Sequence, residues 1–156
     1  GKFDERENSI LKLQSLIPNI KFDLYGMKNI QPIWADNFIN ALSNSKIGLN
    51  LSQGKPLRYY SSDRFAQMIG NGLLVFIHEK TKFNHFFSSK ELVFYKNIKD
   101  LAKKINKYSI NQNLRKQIAK RGHSKYFKYF NSTIVANFII NRTLGIAGKK
   151  FYWEKN

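Results

Sequence analysis

The sequence has no cysteine, three prolines and only 10 acidic residues among 156. Without thiols there are no disulfides, no thiolate metal sites and no cysteine nucleophile, and a reducing compartment, the cytoplasm, is the simplest expectation. No apolar run approaches the roughly 20 residues that span a bilayer. The first residues, GKFDERENS, have neither an initiator Met nor the apolar core of a signal peptide, so the chain reads as a piece of a longer one. Also absent are a Walker loop, a GxGxxG turn, a nucleophile elbow and a DxD pair that would hold a divalent metal against phosphates. His78, His85 and His123 have no partners at metal-ligand spacing, so no metal site is expected.

What is present in excess is positive charge. The 27 Lys and Arg give a formal net charge of +17, and the excess is uneven: residues 1–78 carry 9 basic and 6 acidic side chains, residues 79–156 carry 18 and 4. Lysine supplies 21 of the cations, and Asn and Ile occur 17 times each, the joint enrichment that A/T-rich codons give. Base and phosphate recognition leans on the planar Arg fork, and Arg occurs only 6 times. The charge is therefore read as solvated helix faces ahead of a nucleic-acid surface. The hydrophobic fraction of 42% is too high for a disordered basic tail and fits one domain with a core.

Periodicity predicts a short helix around Ile10–Leu16 and a strand over Ile20–Tyr25, where Ile20, Phe22 and Leu24 alternate with polar residues. A helix over 35–43 and a strand from Ile47 to Leu51 follow. The polar loop Ser52–Ser62 leads into a helix from about Ser62 to Ile69, with Ser61 or Ser62 as N-cap and Phe65, Met68 and Ile69 inward. Leu73–Ile77 is apolar without alternation, as in a parallel strand covered on both faces. Leu92–Tyr95 is a fourth strand, and Asn97 caps a helix with Asp100 in the capping-box position. Two more helices are expected: 111–127, and 132–142 with Ile134, Val135, Phe138 and Ile139 inward. The expected architecture is α/β: a Rossmann-like parallel sheet of about four strands with helices on both faces. It fills one domain, 1–145, followed by a basic aromatic tail, 146–156, in which Phe151, Tyr152 and Trp153 dock on the core or on sequence beyond the chain.

The chemistry concentrates between Ile47 and Glu79. A strand, a loop carrying Lys55 and Arg58, and a helix start at Ser61 and Ser62 followed by Arg64 and Gln67 can together hold a diphosphate. First-turn N–H groups and the helix dipole attract the anion, and Lys55, Arg58 or Arg64 neutralises the second charge. The ordinary alternative is that the serines only cap and Arg64 pairs with Asp63 or a neighbouring carboxylate. Asn50 faces opposite to the core set of its strand or lies at the carboxyl end near a ligand crevice, and His78 lies just past the carboxyl end of a buried strand, where α/β folds place such crevices.

The runs IGLNLS (47–52), SDRFAQMIGNGLLVFI (62–77), ELVFYKNIKDLAKKI (91–105) and NLRKQIAKRG (113–122) resemble the carboxyl-terminal half of two-domain GT-B glycosyltransferases. The likeness is to the group that includes spore-coat glycosyltransferase-like proteins and covers about residues 20–143. It implies a domain that binds a nucleoside diphosphate sugar as substrate, without a metal or other cofactor, while a separate amino-terminal half binds the acceptor. Arg64 and Gly72 match the characteristic run. The Glu that usually takes the ribose falls on Gln67, which accepts through an uncharged amide oxygen. The earlier Glu of a paired-carboxylate motif falls on Tyr59.

The resemblance thus implies a hexosyltransferase-like enzyme moving sugar to a glycan or lipid-linked acceptor. Lys55, Arg58, Ser61, Ser62 and Arg64 would hold the diphosphate, Gln67 the ribose, and Asn50 and His78 would line the crevice; no catalytic base is assigned. The isolated chain is expected to be incomplete and inactive in transfer, and its setting cytoplasmic, with peripheral contact at the inner membrane face. The rival expectation is a noncatalytic basic module that binds nucleic acid or anionic membrane through the Lys-rich helices of 97–128.

Overall fold

A fully apolar run has to be covered on both sides, and the computed structural model puts it at the centre of the sheet. The structure describes residues 5–27, 29–148 and 150–154. Among them the order is α1 (Glu5–Leu16), α2 (Ala35–Asn44), β1 (Ile47–Asn50), α3 (Asp63–Gly70), β2 (Leu74–His78), β3 (Val93–Tyr95), α4 (Ile98–Ile110), α5 (Gln112–Tyr129) and α6 (Ser132–Thr143). Short 3-10 turns lie at Glu79–Thr81, Phe83–His85 and Tyr152–Glu154.

The strands run parallel in the order β1-β2-β3, with Leu49 beside Phe76 and Phe76 beside Val93. Successive β2 residues point to opposite faces, so each face gains its own core. Leu74 and Phe76 join Ile10, Leu13, Leu101, Ile105 and Ile118 on one side. Val75 and Ile77 join Leu42, Phe65, Met68, Ile69 and Phe87 on the other. The fold is α/β, a Rossmann-like parallel sheet between helical layers.

The sheet has three strands among the described residues rather than about four. Residues 21–25 form no ladder, although Phe22 and Leu24 are half-buried against the first core while Lys21, Asp23 and Tyr25 face out. Alternation correctly marks an amphipathic extended segment, but it does not supply the neighbour that a ladder needs. The second correction concerns α6. None of its residues is fully buried: Val135, Ile139 and Ile140 are exposed, whereas Ile134 and Phe138 are half-buried, Phe138 against Phe151 and Trp153, so the inward face expected for it is covered only in part among the described residues.

Capping sets the helix starts. Asn97 Oδ1 accepts from the Asp100 N–H at 3.0 Å, and Asp100 returns a carboxylate oxygen to the Lys96 N–H at 2.9 Å, one residue earlier than in a standard capping box. Arg115, 6% exposed, donates to the carbonyls of Tyr108 and Ser109 and so satisfies the carboxyl end of α4. The aromatic tail docks on this chain: Trp153 stacks on Phe130, Tyr152 stacks on Tyr129 and donates to the Phe86 carbonyl, and Arg142 pairs with Glu154.

Glu91 ties α5 to the turn before β3. Its carboxylate accepts from the Ser88 N–H at 2.6 Å, the Ser88 hydroxyl at 3.0 Å and Lys125 Nζ at 3.0 Å. Burial alone would raise its pKa, but these donors outweigh burial and hold the group below the ordinary value of 4.5. A depressed carboxylate adds stability that is complete above its unfolded pKa and is lost as pH falls through its folded pKa. Glu91→Gln is therefore expected to lower the melting temperature at pH 7, and the gap from wild type should narrow below about pH 4.5. Melting curves from pH 7 to 3 check this; a gap that widens on acidification would contradict it.

Candidate functional site

β1 ends at Asn50, which is 5% exposed, and a buried amide at a strand end needs a partner. It finds one in Ser62, whose hydroxyl donates to Asn50 Oδ1 at 3.1 Å. Ser62 is the N-cap of α3 by backbone geometry, with φ −85° and ψ 165°, yet its side chain makes no capping bond. The hydroxyl is used to hold the strand end, so the first turn of α3 is left without its side-chain cap. Arg64 folds back over the same junction, with Nε 3.4 Å from the Ser62 hydroxyl and a terminal nitrogen 3.3 Å from the Leu51 carbonyl.

Around this junction lies a cleft of about 630 Å³, within the range of small-molecule sites. Asn50, Lys55, Ser62 and Arg64 line it, so four of the eight residues assigned from sequence come together at the carboxyl end of a parallel strand and the start of the next helix. The described residues that line it include three cations, Arg6, Lys55 and Arg64, and one carboxylate, Asp63. The balance favours an anion, as does the positive end of α3.

The other four residues lie elsewhere. Arg58 turns out of the cleft: a terminal nitrogen donates to the Tyr59 hydroxyl at 2.9 Å, and its guanidinium lies 4.7 Å from that ring's centre. Ser61 is half-buried and Gln67 is exposed a turn further along α3; neither lines the cleft. His78 ends β2, packs edge-on against Tyr95, and accepts the Lys80 N–H at Nδ1. Burial first, and the Lys80 charge second, lower its pKa, consistent with a neutral accepting ring. Among the described residues no three His, Asp or Glu side chains gather as a metal-binding group, and no helix is long and apolar enough to cross a membrane.

Sequence reasoning missed Arg6, Leu57 and Tyr60, which also line the cleft, as do Asp63 and the loop residues 51–53. Leu57 and Tyr60 are exposed apolar residues in a polar loop, a signal open to reading. Arg6 belongs to α1 and comes from 44 residues before Asn50, a distance that no local pattern bridges.

No curated protein and no solved structure matches the chain significantly. Residues 6–141 match the family model described as glycosyl transferase-like, a span that runs from Arg6 at the cleft through the whole sheet to α6. The chain belongs to the glycosyl transferase-like family.

Proposed function

We propose that the chain is the carboxyl-terminal, donor-binding half of a GT-B type glycosyltransferase of the spore-coat glycosyltransferase-like kind, and that the cleft takes a nucleoside diphosphate sugar. The observation that carries this reading is the Asn50–Ser62–Arg64 junction, where a helix start without its side-chain cap and a guanidinium flank one cationic cleft. The diphosphate accepts from the first-turn N–H groups of α3 and from Arg64, while Lys55 neutralises the remaining charge. Transfer builds negative charge on the leaving diphosphate, so donors already aimed at it favour the transition state without a metal. The acceptor, a glycan or lipid-linked glycan, is presented by an amino-terminal half. Orienting the two substrates is worth about 7 to 11 kcal/mol in favourable cases, so this chain alone binds donor and does not transfer sugar.

Titration calorimetry in metal-free buffer with UDP, GDP, ADP and dTDP tests the proposal. Saturable binding of at least one is expected, and binding of none by folded protein would end the donor reading. The same titration separates the polyanion alternative. Lys103, Lys116 and Lys120 are exposed on α4 and α5, whereas Lys104 is tied to Asp100 at 2.8 Å and to the Phe94 carbonyl at 2.7 Å. Changing the three exposed lysines to Gln is expected to leave diphosphate affinity unchanged, because they act only through a screened field. A polyanion module would instead lose nucleic-acid or vesicle binding in that variant, with a flatter salt dependence.

A further inference from the structure

We propose that Tyr59 is the positioning residue of the cleft wall, a strut that locks the loop between β1 and α3 to the turns after β2; its effect on ligand affinity rests on the donor reading above, its effect on the loop does not. Leu57 and Tyr60 face the cleft. Tyr59, between them, points the other way and, among the described residues, makes the hydrogen bonds that tie this loop to the turns after β2. Its N–H donates to the Thr81 carbonyl at 2.7 Å, and its hydroxyl lies 2.8 Å from His85 Nδ1. Arg58 donates to the same hydroxyl oxygen, and with His85 in its Nε2–H tautomer the hydroxyl proton is given to Nδ1. The ring packs on Phe86, centres 5.2 Å apart, and Phe86 in turn meets Phe83 of the buried core.

The anchor is firm. Thr81 is 1% exposed and its own hydroxyl is fixed to the His78 carbonyl at 2.7 Å. Tyr59 also sits at φ +60°, a left-handed backbone that a bulky side chain adopts only when its surroundings hold it there. Residues 51–62 have no helix or strand of their own, so without the strut a ligand would have to order them on binding, and affinity would fall by that cost. Arg58 then serves the cleft through Tyr59, which accounts for a loop cation that turns away from it.

The test uses Tyr59→Phe, His85→Ala, both together, His85→Asn and Tyr59→Gly, each checked for an unchanged fold by melting and circular dichroism. Amide hydrogen exchange on ligand-free protein reads the loop directly. Amides 57–62 are expected to exchange about tenfold faster in Tyr59→Phe and in His85→Ala, with β2 and α4 unchanged. The double variant should match either single one, because all three lack the same tie. His85→Asn, whose amide oxygen can accept in place of Nδ1, should restore slow exchange. In calorimetry with whichever of UDP, GDP, ADP or dTDP binds wild type, the two single variants should bind about three- to tenfold more weakly. Unchanged exchange in both singles, additive losses in the double, or full protection in Tyr59→Gly would each overturn the strut. If wild type binds none of the four diphosphates, the donor reading fails, and the exchange result still decides the role of Tyr59.

Discussion

Gly122→Ala is expected to destabilise the fold by about 3 kcal/mol, near the top of the range for overpacking, although alanine is the better helix former by about 1 kcal/mol. Gly122 is buried in the middle of α5. A methyl group there would run into the Glu91 carbonyl oxygen and come within 3.3 Å of its carbon. These are backbone atoms, so no rotamer relieves the contact. The turn that carries them cannot retreat easily either: Glu91 and Leu92 both donate to the Ser88 carbonyl, Ser88 is held by the Glu91 carboxylate, and Leu92 is fully buried. α5 would have to lift from the sheet, loosening Ile118 and Ala119 in the first core. For a chain of this size the loss corresponds to a drop of about 6 to 12 °C in melting temperature. A melting temperature equal to or above wild type would mean that helix propensity governs the site and that the close approach is not as described.

Arg64→Ala is expected to weaken diphosphate binding about 10- to 150-fold, the equivalent of about 1.5 to 3 kcal/mol for a hydrogen bond to a charged group. Arg64 is exposed and its bonds to Ser62 and Leu51 are long, so its removal is expected to change stability by no more than about 0.5 kcal/mol. Stability and affinity are thereby separated in one variant. Arg64→Lys keeps the charge but loses the planar fork, and should recover only part of the affinity. Binding at wild-type strength in Arg64→Ala, measured by the same calorimetry, would remove Arg64 from the site.

Much of this was legible in the sequence because the signals were local. The Leu73–Ile77 run fixes a doubly covered strand, Asn97 and Asp100 fix the start of α4, and the stripe of Phe65, Met68 and Ile69 fixes the buried side of α3. Where a neighbour decides the outcome, the pattern fell short. Among the described residues the alternating 20–25 segment packs as expected but finds no ladder partner, and the apolar side of α6 is covered only at Ile134 and Phe138. The cleft divides in the same way. Asn50, Ser62 and Arg64 could be placed because strand end, helix start and loop are close in sequence. Arg58 bonds to Tyr59 outside the cleft, next to a left-handed backbone that nothing in the residue type forecasts.

The bond from Ser62 to Asn50 also bears on how this domain could be engineered. A serine at an N-cap that declines to cap forgoes about 0.5 to 2 kcal/mol of helix stabilisation. A designer scanning for easy gains in thermostability would choose Asp at position 62, since it caps well and suits the helix dipole. That choice would place a carboxylate where the cleft gathers its positive potential and would strip Asn50 of its donor. Losing the buried Asn50 bond would offset the capping gain, and the new charge would repel the diphosphate of the proposed function, so position 62 should be held fixed in any stabilised variant, and the gains sought on the exposed faces of α4 and α5.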